Sequence, residues 1–304
     1  MTSDALAAFL GAAEATRLAQ KNRGGRAGQA GTIYEQLFGA HRISRLMKNL
    51  IEVGEDADVE WPGDGFVDDF VVRKDEQLSF AAYQLKNAQQ VSWTANAPNS
   101  ICDDFRAQRR ICERERYEKI ELTLVCSKLD VRERLSNAVP DEIRPFSSVE
   151  FFPFEGSLLD LMERHAWLKD DFGQVSRFDA PSDVQAEQIA RVLMGLLPLR
   201  DGDMSVRALL KRAQSTSPQL VRSSESDQQA MQHVSPALRA ILEQLPGFSY
   251  QIRRGFLHWS VSLGSSVTKG TLSFDCSSDR FLTWQNKIIQ IQPSAFVDIE
   301  EEFQ

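Results

Sequence analysis

The sequence predicts an α/β domain, a mixed sheet flanked by helices, followed by a smaller α+β C-terminal domain. Three observations carry that prediction. Up to about residue 178 the apolar pattern switches between helical and strand periods in the order helix, three strands, helix, strand, helix, strand. The stretch Ala180, Pro181, Ser182, Asp183 then interrupts it. Beyond that break the texture changes to helices around a serine-rich segment, then to alternating runs near the C-terminus. The expected domains are therefore 1–178 and 180–304, and 304 residues suffice to bury a core in each.

The elements follow in order. Residues 3–20 read as a helix rich in Ala and Leu, with Ser3 as its cap. Residues 22–31 are basic and glycine-rich but lack the residue order of a nucleotide-binding P-loop. They read as a joint whose Arg23 and Arg26 can reach a nucleic-acid backbone. Residues 32–53 form a second helix, with Ile33, Leu37, Ile43, Leu46, Met47 and Leu50 at helical spacing and Thr32 in the cap position. Glu35 falls in its first turn, where a carboxylate suits the helix dipole or can be delivered to a site. His41 reads as a packing or surface residue.

Residues 57–63 form a short strand that runs into the turn Pro62, Gly63, Asp64, Gly65. Two β-type runs, 67–72 and 80–87, are joined by the charged linker 73–77 and read as a hairpin. Strand alternation puts Gln84 and Lys86 on one face, with Tyr83 and Leu85 opposite. Asp68 and Asp69 face opposite sides, so either can stand beside that pair. A lysine, an amide and a carboxylate together on a sheet are costly to desolvate unless they are paired or hold a metal. The simplest alternative is a cross-strand ion pair between Asp69 and Lys86.

Residues 88–99 read as a loop and 99–118 as a helix anchored by Phe105, Ile111 and Cys112. Arg106, Arg109, Arg110, Arg114 and Arg116 lie between the anchors, offset in the second half by Glu113, Glu115 and Glu118. That pattern fits a solvated face laced with ion pairs as well as a phosphate-contacting surface. A buried strand is expected at 121–127, a small helix at 130–138, a strand at 149–154 and a helix at 157–172. Helices follow at 183–197, 204–214 and 235–245, with a mobile polar stretch at 215–229. The runs 250–263, 271–276 and 281–291 are expected to form a small antiparallel sheet, and 298–304 a solvated acidic tail.

Composition narrows the function classes. Acidic residues outnumber basic ones, 43 to 35, which gives no global signature of a nucleic-acid binder but leaves room for local basic patches. Cys102, Cys112, Cys126 and Cys276 lack metal-site spacing and read as core or neutral surface thiols. No apolar run approaches the roughly 20 residues of a membrane span, and the N-terminus lacks a basic signal-peptide region. The expectation is a cytoplasmic protein with no membrane partner.

Glu35, then Asp69, then Gln84-Leu85-Lys86 resembles the E…D…(E/Q)xK pattern of the PD-(D/E)XK nuclease superfamily. Gly31-Thr32-Ile33-Tyr34-Glu35 and Tyr83-Gln84-Leu85-Lys86-Asn87 are similar to the double-stranded DNA endonuclease domain of bacterial anti-phage effectors. Those effectors are of CBASS, Lamassu or HerA-associated type, and the resemblance covers roughly residues 24–175. It implies a restriction-endonuclease-like fold and a Mg²⁺-dependent endodeoxyribonuclease, a hydrolase in which Mn²⁺ can replace Mg²⁺. It also implies Glu35, Asp69 and Gln84 as metal ligands, with Lys86 completing the catalytic set. In that family the aspartate directly precedes a hydrophobic strand, which favours Asp69, followed by Phe70, Val71 and Val72, over Asp68. DNA contacts would come from Arg23, Arg26, Arg106, Arg109 and Arg110.

Partners implied are double-stranded DNA, a regulatory protein such as an SMC-like or HerA-like ATPase, and further copies of the chain in an active homo-oligomer. The region 180–304 would serve oligomerisation, regulation or partner docking. The alternative expectation is a catalytically inactive scaffold or nucleic-acid-binding subunit with a nuclease-like fold.

Overall fold

The structure, a computed structural model, describes residues 11, 13, 14, 16, 29–94, 99–197, 204–263 and 266–303. The expected helix at 3–20 and the joint carrying Arg23 and Arg26 fall largely or wholly outside the described residues. Two compact units are present. The first comprises Met1–Ile43, Asp56–His165 and Met194–Val206, and the second Ser44–Glu55, Ala166–Leu193 and Arg207–Gln304. The expected boundary near residue 178 lies within a stretch of the second unit.

The first unit is built on a five-stranded mixed sheet, in the order β1 (Asp58–Glu60), β2 (Phe70–Lys74), β3 (Ser79–Lys86), β4 (Lys119–Cys126), β5 (Ser147–Phe151). The pairs β1–β2 and β2–β3 are antiparallel, while β3–β4 and β4–β5 are parallel. Parallel neighbours need crossovers, which are supplied by α2 (Ile101–Arg114) between β3 and β4 and α3 (Leu129–Asn137) between β4 and β5. The preceding helix, α1 (Gln29–Val53), starts upstream of Thr32, so Thr32 lies inside the helix and does not cap it.

Alternation along β3 sorts the two faces. Phe80 and Ala82 are buried in one cluster with Phe105 and Cys112 of α2 and Val131 and Leu135 of α3. Tyr83 faces the other way, 5.1 Å from the Phe38 ring of α1. Phe38 also meets Phe152 edge-on at 5.3 Å, and Tyr34 donates its hydroxyl to the Phe152 carbonyl at 3.2 Å. Arg42 places its guanidinium 5.1 and 4.6 Å from the Phe38 and Tyr83 rings and pairs with Glu150 of β5. Each aromatic pair contributes about 0.5–1.5 kcal/mol beyond the area it buries, so the first turns of α1 are firmly seated on the sheet. His41 is buried, its ring 5.2 Å from that of Phe152.

The outer edge of β1 is occupied too. Val59 N–H donates to Met204 O at 3.2 Å and Val206 N–H to Ala57 O at 2.8 Å, and Leu197 lies where a side chain on Gly39 would strike it. A chain ending at residue 178 would lose both contributions.

The second unit carries a three-stranded antiparallel sheet, β6 (Phe248–Arg253), β7 (Phe256–Leu263), β8 (Ser266–Thr271). Its helices are α5 (Ala166–Gly173), α6 (Asp183–Leu196), α7 (Val206–Thr216), α8 (Asp227–Gln232), α9 (Pro236–Gln244) and α10 (Asp279–Ile291), with α6 and α7 shared at their ends with the first unit. The expected run 250–263 is thus a hairpin, turning at Arg254 and Gly255, both left-handed. Gly255 is required there, because a Cβ would come within 2.2 Å of Ser223 Cβ.

Four expectations about element boundaries are corrected. Residues 281–291 are helical: Phe281, Trp284, Gln285 and Ile288 bury one helical face, and Ser278 caps it by accepting from Phe281 N–H. Residues 157–172 are two helices, α4 (Leu158–Arg164) and α5, interrupted at His165, whose backbone leaves helical angles. The stretch 215–229 is tied down: Arg177 N–H donates to Leu220 O, Arg222 N–H to Val175 O, and Ser226 caps α8. The acidic tail is docked through Phe303, whose ring lies 5.2–5.5 Å from those of Trp284, Trp259, Phe296 and Phe248. Among the described residues no helix is long and apolar enough to cross a membrane. All four cysteines are free, and all four fall in the core, the first of the two placements expected; burial pushes Cys102 and Cys126 up to about 11 and Cys112 to about 12.

Candidate active site

The expected first hairpin strand, 67–72, begins only at Phe70. The reason lies in where the preceding N–H groups go. Phe66 N–H and Val67 N–H both donate to Gln108 Oε1 of α2, at 2.8 and 3.4 Å, and the Asp68 carbonyl accepts from Gly63 N–H at 2.6 Å. Those groups cannot also enter a sheet ladder. Asp68 and Asp69 therefore sit in a braced loop, where the alternation of a strand does not govern which way they point.

The last β2–β3 pair in this direction is Phe70 with Tyr83, so Asp69 and Gln84 are opposite one another one step beyond it. There the Asp69 carboxylate takes the place of a ladder carbonyl: Oδ2 accepts from Leu85 N–H at 2.6 Å and from Gln84 Nε2 at 2.5 Å. Gln84 is buried and Asp69 half-buried. At the end of β3, Lys86 pairs in register with Cys126 of β4, its carbonyl accepts from Ser127 N–H at 3.3 Å, and Ser127 Oγ donates to Asn87 Oδ1 at 2.7 Å. These bonds fix the main chain from which the Lys86 side chain extends.

Lys86 is half-buried and forms no ion pair among the described residues. The cross-strand Asp69–Lys86 ion pair is therefore not formed.

Glu35 completes the group. It follows Tyr34, whose ring and hydroxyl anchor the first turns of α1 on Phe152 and Phe154. Its carboxyl is pushed up to about 8, first by burial, then by the negative charge of Asp69, with Lys86 pulling the other way and Asp68 adding a further push. Glu35 thus feels the charges of Asp69, Lys86 and Asp68, and Gln84 is bonded to Asp69. α1 packs on the Tyr83 side, whereas Gln84 and Lys86 have the parity of Phe80 and Ala82.

Among the described residues no three His, Cys, Asp or Glu side chains are grouped to hold a metal ion. The donors at this site are two carboxylates, Glu35 and Asp69, and the Gln84 amide. Mg²⁺ is commonly held by one or two carboxylates with waters and substrate phosphates, and a divalent cation would offset the negative charge of Asp69 that Glu35 feels.

The arginines lie elsewhere in the unit and are already paired. Arg106 bonds Asp103 at 3.3 Å and Glu142 at 3.0 Å, Arg109 bonds Glu113 at 2.6 Å and covers the Phe146 ring at 4.4 Å, and Arg110 reaches Glu14 at 3.3 Å. Arg23 and Arg26 lie outside the described residues. The sequence reading missed Gln108 and Gly65. Their signals were an amide within the apolar stripe of α2 and a second glycine in the Pro62–Gly65 turn. Comparison of the chain with family models, with curated proteins and with solved structures finds no match in any of the three.

Proposed function

We propose that the chain is a metal-dependent endonuclease of double-stranded DNA, with a PD-(D/E)XK core of restriction-endonuclease-like fold in its first unit. The observation that carries this reading is an ammonium, Lys86, without an ion pair among the described residues, whose charge acts on Glu35, a carboxyl raised by burial and by Asp69. An ion-paired lysine would support only a structural role.

In this reading Glu35, Asp69 and Gln84 hold the cation. Mg²⁺, or Mn²⁺ in its place, supplies positive charge against the phosphate oxygens and the attacking water. Lys86 orients that water and offsets charge developing on the phosphate. Leu85 N–H fixes the Asp69 carboxylate, and Gln84 donates to the same oxygen, so both hold the acid in place before substrate arrives. Arg106, Arg109 and Arg110 would exchange their carboxylate partners for backbone phosphates.

A nuclease of this kind has to be restrained in its host. The reading therefore includes activation by oligomerisation or by a partner such as an SMC-like or HerA-like ATPase, in cytoplasmic anti-phage defence. The second unit is the part of the chain that would take up that partner or a further copy.

One observation favours a second reading. Asp69 Oδ2 is engaged by both Gln84 and Leu85, and the arginines of α2 are satisfied by acids, as they would be in an inactive scaffold with a nuclease-like fold. Incubation with supercoiled and linear duplex in Mg²⁺, with and without EDTA, separates the two. EDTA-sensitive cleavage supports the enzyme. Intact duplex, both alone and with the ATPase added, supports the scaffold.

A further inference from the structure

We infer that Gln108 is a positioning residue of the candidate active site: it fixes the loop that presents Asp69. The catalytic consequence rests on the nuclease reading, whereas the structural one rests on hydrogen bonding alone.

Gln108 stands in the apolar stripe of α2, between Phe105 and Cys112, and is 3% exposed. A buried amide is costly unless it is bonded, and this one is bonded on both sides. Its Nε2 donates to Cys112 Sγ at 3.6 Å, which sets the orientation of the amide, and its Oε1 accepts from two consecutive main-chain N–H groups, Phe66 and Val67. One side-chain oxygen thus takes up two consecutive main-chain N–H groups ahead of β2.

The fit demands a small residue beside it. A Cβ on Gly65 would come within 2.5 Å of Gln108 Oε1. Across the loop, Gly63 N–H closes on the Asp68 carbonyl at 2.6 Å. The segment 63–68 is therefore closed on itself and pinned to α2, and Asp69 is the next residue. From that fixed start its carboxylate meets Leu85 N–H and Gln84. Without the Gln108 acceptor, Phe66 and Val67 N–H lose that bond, and the loop has to rearrange to replace it. A shift on the order of 1 Å at a reacting group can lower a rate by about a hundredfold.

Two substitutions test the inference. Gln108→Met keeps the length and removes the acceptor, while Gln108→Glu keeps an acceptor oxygen. The readouts are amide hydrogen exchange at Leu85, which reports the Asp69 contact, and kcat and KM for duplex cleavage in Mg²⁺. The expected result for Gln108→Met is exchange at Leu85 faster by about tenfold, and kcat lower by about tenfold to a hundredfold with KM little changed. Gln108→Glu is expected to restore both. Faster exchange at Phe66 and Val67 with wild-type protection at Leu85 and wild-type kcat would overturn the inference, as would equal behaviour of the two variants. If Gln108→Met does not fold, Gly65→Ala, which forces Oε1 away, has to show the same loss at Leu85. A wild-type protein that cuts no duplex defeats the nuclease reading, and exchange at Leu85 then decides the positioning role by itself.

Discussion

Gln84 donates to the Asp69 carboxylate at 2.5 Å from the position directly opposite, one step past the last ladder pair of β2 and β3. A neutral amide here relieves the aspartate, where a second acid would repel it. Gln84→Glu puts two carboxylates in contact. In EDTA at neutral pH this is expected to cost about 1–3 kcal/mol of stability, the penalty of losing a buried hydrogen bond and leaving its partner unsatisfied. Saturating Mg²⁺ is expected to return it. Urea unfolding with and without the cation checks both, and an unchanged midpoint in EDTA would contradict the contact.

Glu35 gives a pH dependence with a defined sign. Its folded carboxyl is raised from the ordinary 4.5 to about 8 by burial and by Asp69. The folded state therefore holds a proton that the unfolded chain has already released. The associated stability is complete below about 4.5, declines as pH rises and is gone above about 8. In EDTA, the wild-type protein should lose stability across that window relative to Glu35→Gln, which cannot ionise. Denaturant titrations at a series of pH values measure the difference, and parallel curves would contradict it.

The arginines of α2 are held by acids in the structure, which makes their role in DNA binding open to measurement. Arg106→Ala and Arg109→Ala are each expected to weaken duplex binding uniformly across sequences and to reduce the salt slope by about 1. Fluorescence anisotropy over a range of salt concentrations reads both. An unchanged slope would identify the α2 face as a solvated, ion-paired surface.

Phe303 belongs to the core of the second unit, packed among Phe248, Trp259, Trp284 and Phe296. The main chain beside it is tied as well, since Trp284 Nε1 donates to Glu302 O at 2.8 Å. Phe303→Ala is expected to destabilise that unit by about 3 kcal/mol, as large-to-small changes of buried aromatics do. Thermal or urea unfolding followed by tryptophan fluorescence reports it, and an unchanged transition would return the C-terminus to the status of a free tail.

The order of elements in the first unit was legible because the signals were local. Alternation in 80–87, the apolar run at 121–127 and the helical stripes of α1 and α2 all survive in the structure. Residue types and order singled out Glu35, Asp69 and Lys86, and Glu35 feels the charges of the other two. Three things were not legible. The N-terminal limit of β2 depends on Gln108, 42 residues away, which takes up the Phe66 N–H. Helix α10 was read as a strand because a short apolar run suits either period until its partners are known. The tail looked solvated because the acidic residues 300–302 hide the single aromatic that docks it. In each case the deciding contact is distant in sequence.

The central claim is that Glu35, Asp69, Gln84 and Lys86 form one phosphodiester-cleaving site. The most direct measurement is supercoiled-plasmid cleavage in Mg²⁺ by wild-type protein and Lys86→Ala at equal concentration, with the activating partner present if the wild type requires one. The account predicts EDTA-sensitive conversion by the wild type and a loss of about a hundredfold or more in the variant, whose fold is unchanged. Cleavage by Lys86→Ala at the wild-type rate would contradict it.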